Sequence, residues 1–172
     1  MRQLMTAVLL ALVVLLAGSS ATVPAAPVPV LTAKLLGFEE VSPVSTVATG
    51  RFRARLGETT IDFELSYEGL ESAVQQAHIH FGQTSVNGGV SVFLCSNLLA
   101  PPPGTPPCPT PSGSVRGTRS ATDVIGPTGQ GIAAGEFAEL RRAMLAGVSY
   151  VNVHTLVFPG GEIRGQVHEI GR

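Results

Sequence analysis

Two adjacent segments of the chain alternate strictly between apolar and polar residues, which constrains both of them to be strands. They are RFRARL (residues 51–56) and TIDFELSY (residues 60–67). Because successive side chains of a strand point to opposite faces, each segment has one apolar and one polar face. The short GETT turn between them places the arginines beside Asp62 and Glu64 and the apolar residues beside one another. The pattern predicts an antiparallel hairpin with exposed ion pairs on its polar face.

Similar short segments recur along the chain, separated by glycine- and proline-rich turns. They cover residues 31–38, 74–81, 90–96, 114–121, 148–155 and 162–169. One helix interrupts them in GEFAELRRAMLAG, where apolar residues recur at helical spacing and Gly147 ends the pattern. About eight short strands with turns between them predict an all-β fold, an antiparallel, Greek-key-like β-sandwich with one short helix.

All four histidines fall on the polar side of predicted strands. His78 and His80 share a face in AHIHF, and the same alternation puts His154 outward in YVNVHT and His168 outward in GQVHE. Two imidazoles about 6.6 Å apart on one strand can converge on a single ion, and a third from a neighbouring strand completes a three-nitrogen face. This arrangement suits copper or zinc. We therefore predict His78, His80 and His154 as metal ligands, with His168 as a further candidate.

Two polar residues near these histidines could orient a ligand by a hydrogen bond, namely Asn152 and Glu162. An alternative interpretation is a structural polar cluster, in which each imidazole bonds to backbone or to neighbouring amide and hydroxyl groups. A third interpretation is that the histidines form a contact surface for a ligand or another protein. Alternation alone does not separate these interpretations, because all of them need the same outward parity.

Other chemistry has little support in the sequence. No serine lies in a nucleophile-elbow motif, no pair of carboxylates is enforced by spacing, and GPTGQG lacks the lysine and hydroxyl residue of a phosphate-binding loop. The net charge of −1 and the absence of long charged runs give no support to a nucleic-acid partner. These absences favour a non-catalytic protein.

The N-terminal segment has the features of an export signal. Residues 1–21 combine Arg2, an apolar run from Met5 to Ala17 and small residues after it. The run is shorter than the roughly 20 residues that span a bilayer, so no membrane span is expected after cleavage; an uncleaved anchor helix is the alternative interpretation. The chain then divides into a signal peptide (1–21), a Pro/Ala-rich linker (22–30) and one domain (31–172). We expect an exported protein, periplasmic or extracellular.

The two cysteines bracket a proline-rich stretch. Cys95 and Cys108 enclose SNLLAPPPGTPP. In an oxidising compartment the default interpretation is a disulfide across this loop, and a metal thiolate pair is the alternative.

Several motifs together resemble the CHRD (chordin) domain. They are AHIHFG, the NGG turn with VSVFL, and LAGVSYVNVHTLVFPGGEIRGQV, with an opening segment at residues 36–50. The resemblance spans about residues 31–168 and implies an extracellular type of domain. The chain has a single copy and lacks the cysteine-rich modules of chordin, so binding of growth factors is not implied.

The expected function is that of an exported, non-catalytic module that contacts an envelope or extracellular protein. The alternative is a mononuclear copper- or zinc-binding protein. The H-x-H strand followed by a glycine-rich turn also resembles Cu/Zn superoxide dismutase, but the paired metal site of that enzyme uses more histidines than the four present here.

Overall fold

Nine strands and one α-helix form the part of the chain that the computed structural model describes, residues 27–171. The strands are β1 (Val30–Leu36), β2 (Thr49–Leu56), β3 (Ile61–Glu68), β4 (Val74–Phe81), β5 (Gly89–Ser96), β6 (Gly113–Arg119), β7 (Ser149–Thr155), β8 (Ile163–Gln166) and β9 (His168–Glu169). The helix is α1 (Phe137–Leu145), and single 3₁₀ turns occupy Gly37–Glu39, Ala121–Asp123 and Thr128–Gln130. The predicted signal peptide and the start of the predicted linker lie outside the described residues.

The strands form one antiparallel sheet that curves until it is nearly a barrel. Its order is β5-β4-β7-β8-β1-β2-β3-β6, and the short β9 pairs with β1. The prediction of an all-β, antiparallel domain with one short helix is confirmed. Among the described helices, none combines the length and apolar character needed to cross a membrane.

The predicted hairpin is formed by β2 and β3. Arg53 lies opposite Glu64, and Arg55 lies opposite Asp62, as the alternation predicts. The expected ion pairs within the hairpin do not form, because Glu64 pairs instead with Arg116 on β6. The acidic side chain expected to pair within the hairpin therefore pairs with the next strand of the sheet.

Arg119 joins the two edges of the sheet where no strand ladder does. Its guanidinium donates to the carbonyl oxygens of Phe93 and Leu94 on β5 and of Gly104 in the following loop. The side chain is buried, and burial lowers its pKa although Asp123 opposes the shift. Because a buried carbonyl without a donor is costly, this one side chain stabilises the closure between β6 and β5.

The core lies on the concave face of the sheet and is completed by the helix. Phe52, Leu65 and Ile79 are fully buried there. The helix α1 adds Phe137, Leu140 and Met144, which follow the predicted apolar stripe. The predicted stop at Gly147 has a φ of 71°, a left-handed conformation that glycine adopts without strain.

The proline-rich loop after β5 is closed by the predicted disulfide. The Cα atoms of Cys95 and Cys108 are 5.0 Å apart, and their sulfur atoms are bonded. The side chain of Asn97 donates to the carbonyl of Val74 and bonds both the N–H and the carbonyl of Cys108. The disulfide and the side-chain amide of Asn97 together hold the proline-rich loop against β4.

Candidate functional site

Strands β4 and β7 are neighbours in the sheet, and this pairing brings three of the four histidines together. In the register His78 lies opposite Asn152, and His80 lies opposite Tyr150. The Nδ1 atom of His78 is 3.1 Å from Nε2 of His154. One ring nitrogen from each of His78, His80 and His154 can be chosen so that all lie within 4.8 Å of one another.

The three imidazoles are on the face opposite the apolar core, as their parity predicts, but they are not open to solvent. Their exposed fractions are 2% for His78 and 7% for each of His80 and His154. Segments that contribute Gly88 and Pro159 bond directly to the rings and cover them. A period of two identifies the face on which a side chain lies, but it carries no information about what packs over that face.

Irregular pairing next to β4 places an aromatic ring against the cluster. The partners of β4 on β5 skip Leu94 and Ser91, so the ladder contains two register shifts. Such bulges redirect side chains next to functional sites. The ring of Phe93 consequently meets the ring of His78 edge-on, with centroids 4.3 Å apart.

A stack of three side chains holds His80. Its ring lies parallel to that of Tyr150, with centroids 4.7 Å apart and an interplanar angle of 7°. The guanidinium carbon of Arg164 lies 3.4 Å from the centroid of the Tyr150 ring. Arg164 is buried and donates to the carbonyl oxygens of Gln83 and Val86. The stack is therefore anchored to the loop that follows β4.

Two of the rings bond a backbone carbonyl, and this fixes where their protons are. Nδ1 of His80 is 2.9 Å from the carbonyl oxygen of Gly88, and Nδ1 of His154 is 2.9 Å from that of Pro159. Because a carbonyl oxygen only accepts, each Nδ1 carries the proton, and in the neutral ring Nε2 carries the lone pair. The Nε2 atoms of His78 and His80 are buried without a hydrogen-bond partner.

The rings are held in the neutral form. Burial, together with the neighbouring His154 and His80, lowers the pKa of His78 to about 2. Burial also lowers the pKa of His80 to about 4, although the bond to Gly88 opposes the shift. The pKa of His154 is lowered by burial too, against the effect of its bond to Pro159. Neutral imidazoles are the form that binds metals.

Asn152 lies between the histidines and a buried carboxyl group. Its Oδ1 atom is 2.9 Å from Nε2 of His154. Its side chain also interacts with Glu40, whose pKa burial raises to about 7 although Arg164, a Val41 backbone bond and Asn152 each lower it. Oxygen and nitrogen lone pairs thus converge at Nε2 of His154.

Glycine is required where Glu40 and Asn152 meet. A Cβ atom on Gly161 would lie 2.4 Å from Oε1 of Glu40 and 2.9 Å from Nδ2 of Asn152. Gly161 also has a φ of 127°, which other residues rarely adopt. The PGG turn between β7 and β8 therefore leaves the space that this carboxyl group occupies.

The other two predicted residues lie elsewhere. His168 is exposed on β9, where it pairs with Thr32 of β1, and it does not reach the cluster. Glu162 is fully buried, but its carboxylate accepts bonds from the hydroxyls of Thr46 and Thr155 and from the N–H of Glu71. It joins loops at one end of the sheet and orients no histidine.

Several contributors to the site were not predicted, and only those on regular strands had a signal in the sequence. Tyr150 has the same parity as Asn152 and His154, so alternation could have placed it beside them. Phe93 depends on the bulges of β5, and Glu40 comes from a loop about forty residues before His78 in the chain. Neither position follows from a local pattern.

Comparison with known proteins gives one match. The family model of the CHRD domain matches residues 31–167, nearly the whole described chain, and this confirms the resemblance read from the motifs. No curated protein and no solved structure shows significant similarity.

Proposed function

The chain belongs to the CHRD domain family, and we propose that this domain binds one copper or zinc ion through His78, His80 and His154. Protein metal sites commonly use a histidine whose second ring nitrogen donates to a backbone carbonyl or a carboxylate. His80 and His154 both have this arrangement, with Gly88 and Pro159 as the acceptors. It supports the proposal because it directs the Nε2 lone pairs of both rings away from the backbone.

The orphaned nitrogens are the observation that carries the proposal. A buried polar atom without a partner is costly, and two of them, Nε2 of His78 and of His80, belong to the same cluster. Nε2 of His154 accepts from Nδ1–H of His78, and the oxygen of Asn152 lies 2.9 Å from the same nitrogen. A cation held by the Nε2 atoms of His78 and His80 would remove both of the costs of leaving them unpartnered.

The distances fit an ion after small side-chain movements. Ligand nitrogens about 2.0–2.1 Å from one ion are at most about 4.2 Å apart. One nitrogen from each of the three rings lies within 4.8 Å of the other two, so ring movements of several tenths of an ångström bring the set within that limit.

The donor set favours copper over zinc. All three ligands are neutral imidazoles, and nitrogen sites follow an affinity order in which Cu(II) exceeds Zn(II). The buried cluster includes no negatively charged ligand, so the single charge of Cu(I) costs less to bury than the double charge of either divalent ion. Copper in either oxidation state is the metal that this chemistry selects.

The test is a competition titration of the purified domain with Cu(I), Cu(II) and Zn(II) against chelators of known affinity. We expect one ion per chain and tighter binding of copper than of zinc. His78→Ala and His154→Ala should each weaken binding by at least about 100-fold, because each removes a direct ligand.

His168→Ala is the matched control, because it removes an imidazole that lies outside the cluster. Its affinity should equal that of the wild type. Equal binding by the wild type and by folded His78→Ala and His154→Ala would show that the cluster is a structural polar network and would end the metal proposal.

A second candidate function is an exported module that contacts another protein. The disulfide favours an oxidising compartment, and Val47, Leu156 and Val157 are exposed apolar residues of the loops around Glu162. Cell fractionation tests the export, and cross-linking in the native envelope tests the partner. Recovery of the protein only from the cytoplasm, or no cross-link that Val47→Ser and Leu156→Ser abolish, would contradict this function.

A further inference from the structure

On the polar face of β1, β2, β3 and β6, residues that lie opposite one another form rows across the strands. Most rows that contain a cationic residue also contain an acidic one. Arg55 lies opposite Asp62, and Arg53 lies opposite Glu64. Glu64 also faces Arg116, with which it forms an ion pair. Opposite charges placed directly across a sheet stabilise the pairing, so these rows are balanced or nearly so.

The row next to them is different. It consists of Lys34, Arg51, Ser66 and Ser114, one from each of the four strands. Lys34 lies directly opposite Arg51, and like charges in that position destabilise a sheet. Within residues 27–171 neither side chain takes part in an ion pair. Two positive charges therefore stand side by side without an acidic residue in their row.

This row lines a surface cavity of about 680 Å³. The rest of the wall comes from Thr49, Gly50, Tyr67, Glu68, Ser112 and Gly113. Glu68 is the one acidic residue in that lining and belongs to the adjacent row, opposite Thr49. The lining therefore carries a net charge of +1, with both cations concentrated in a single row.

We propose that this cavity binds an oxyanion group, a carboxylate, phosphate or sulfate carried by a polar ligand. The guanidinium of Arg51 offers a planar pair of N–H donors that matches such a group, and the ammonium of Lys34 adds a charge at its side. The hydroxyl of Ser66, directly opposite Arg51, is placed to donate as well. Binding removes the repulsion between the two cations.

The proposed site is independent of the histidine cluster. The histidines lie on β4 and β7, whereas the cavity lies on β1, β2, β3 and β6. Loss of the metal ligands therefore leaves oxyanion binding unchanged, and loss of Lys34 or Arg51 leaves metal binding unchanged. The two proposals succeed or fail separately.

The test is a titration of ¹⁵N-labelled domain with sodium sulfate, phosphate and acetate, at an ionic strength held constant with sodium chloride. We expect saturable shifts confined to the amides of residues 34, 50–51, 66–67 and 113–114. If the amide shifts saturate with sulfate and phosphate, the ligand group is a tetrahedral oxyanion. If they saturate with acetate alone, it is a carboxylate.

Three exposed substitutions complete the test. Lys34→Gln and Arg51→Gln should each weaken binding at least tenfold, and Arg55→Gln, which removes a cation that has Asp62 opposite, should change it less than twofold. Shifts no larger than those with chloride, or equal affinity of Lys34→Gln and the wild type, would overturn the proposal. Because these side chains are exposed, the spectra of the variants should remain those of a folded domain.

Discussion

Nδ1 of His78 lies 3.1 Å from Nε2 of His154, although 76 residues separate them in the chain. The contact exists because β4 and β7 pair antiparallel in a register that sets His154 next to Gln76. Only one of these two nitrogens can carry a proton in the bond, and His154 already holds its proton on Nδ1 for Pro159. His78 is therefore the donor, which leaves its own Nε2 as a lone pair in a buried site.

The neutral histidines make the metal-free protein sensitive to acid. The unfolded chain takes up protons near pH 6.5, but folded His80 does so only near 4 and folded His78 near 2. The stability that these two histidines contribute is therefore complete above about pH 6.5 and is lost as the pH falls below it. Each histidine can contribute up to about 1.4 kcal/mol per pH unit. Urea unfolding at pH 7, 6 and 5 with a chelator present measures this slope.

Glu40 acts in the opposite direction. Its folded pKa of about 7 lies above the ordinary 4.5, so the folded protein binds a proton there that the unfolded chain does not. Its contribution is present at low pH and is lost as the pH rises through 7. His78→Ala should therefore flatten the acid slope, and Glu40→Gln should make it steeper between pH 4.5 and 7. Identical slopes for both variants and the wild type would contradict the neutral, buried state of these groups.

The face of each residue could be predicted from the sequence, but its surroundings could not. Alternation assigned the β2–β3 hairpin and placed His78, His80 and His154 on one side, because side-chain parity is a local property. It could not show that His168 would pair with β1, since that depends on the order of strands. Nor could it place Glu40, which reaches the site from a loop.

Tyr150 holds His80 by its ring more than by its hydroxyl group. The ring stacks on the imidazole, whereas the hydroxyl bonds the N–H and the carbonyl of Gly88. Tyr150→Phe should keep metal affinity within about threefold and lower the free energy of unfolding by about 1 kcal/mol. Tyr150→Leu removes the stack and should weaken metal binding about 10- to 100-fold. Equal affinities of the two variants would show that the stack does not position the ligand.

The disulfide should stabilise the domain without taking part in metal binding. Cys95 and Cys108 are 13 residues apart, and closing a loop of that length contributes about 3 kcal/mol by the chain-entropy estimate. A Cys95→Ala/Cys108→Ala double variant should lose about that much in urea unfolding while its metal affinity stays unchanged. Unchanged stability would mean that the Asn97 side chain alone holds the loop.

Arg119 should matter more to the fold than any exposed cation on its strand. Replacement by Met keeps the apolar stem but leaves the carbonyl oxygens of Phe93, Leu94 and Gly104 without their donor. We expect a loss of about 3 kcal/mol in the free energy of unfolding, measured in urea.

Arg116→Met is the matched control for this substitution. It removes, three residues away on β6, an exposed ion pair with Glu64, so the stability of the variant should be close to that of the wild type. The two variants make the same chemical change, once at a buried guanidinium that bonds backbone carbonyls and once at an exposed one that pairs with a carboxylate. If both variants lose the same stability, apolar packing holds β6 and β5 together. The hydrogen bonds of the Arg119 guanidinium then do not stabilise this closure. A much larger loss for Arg119→Met locates the closure in this single side chain.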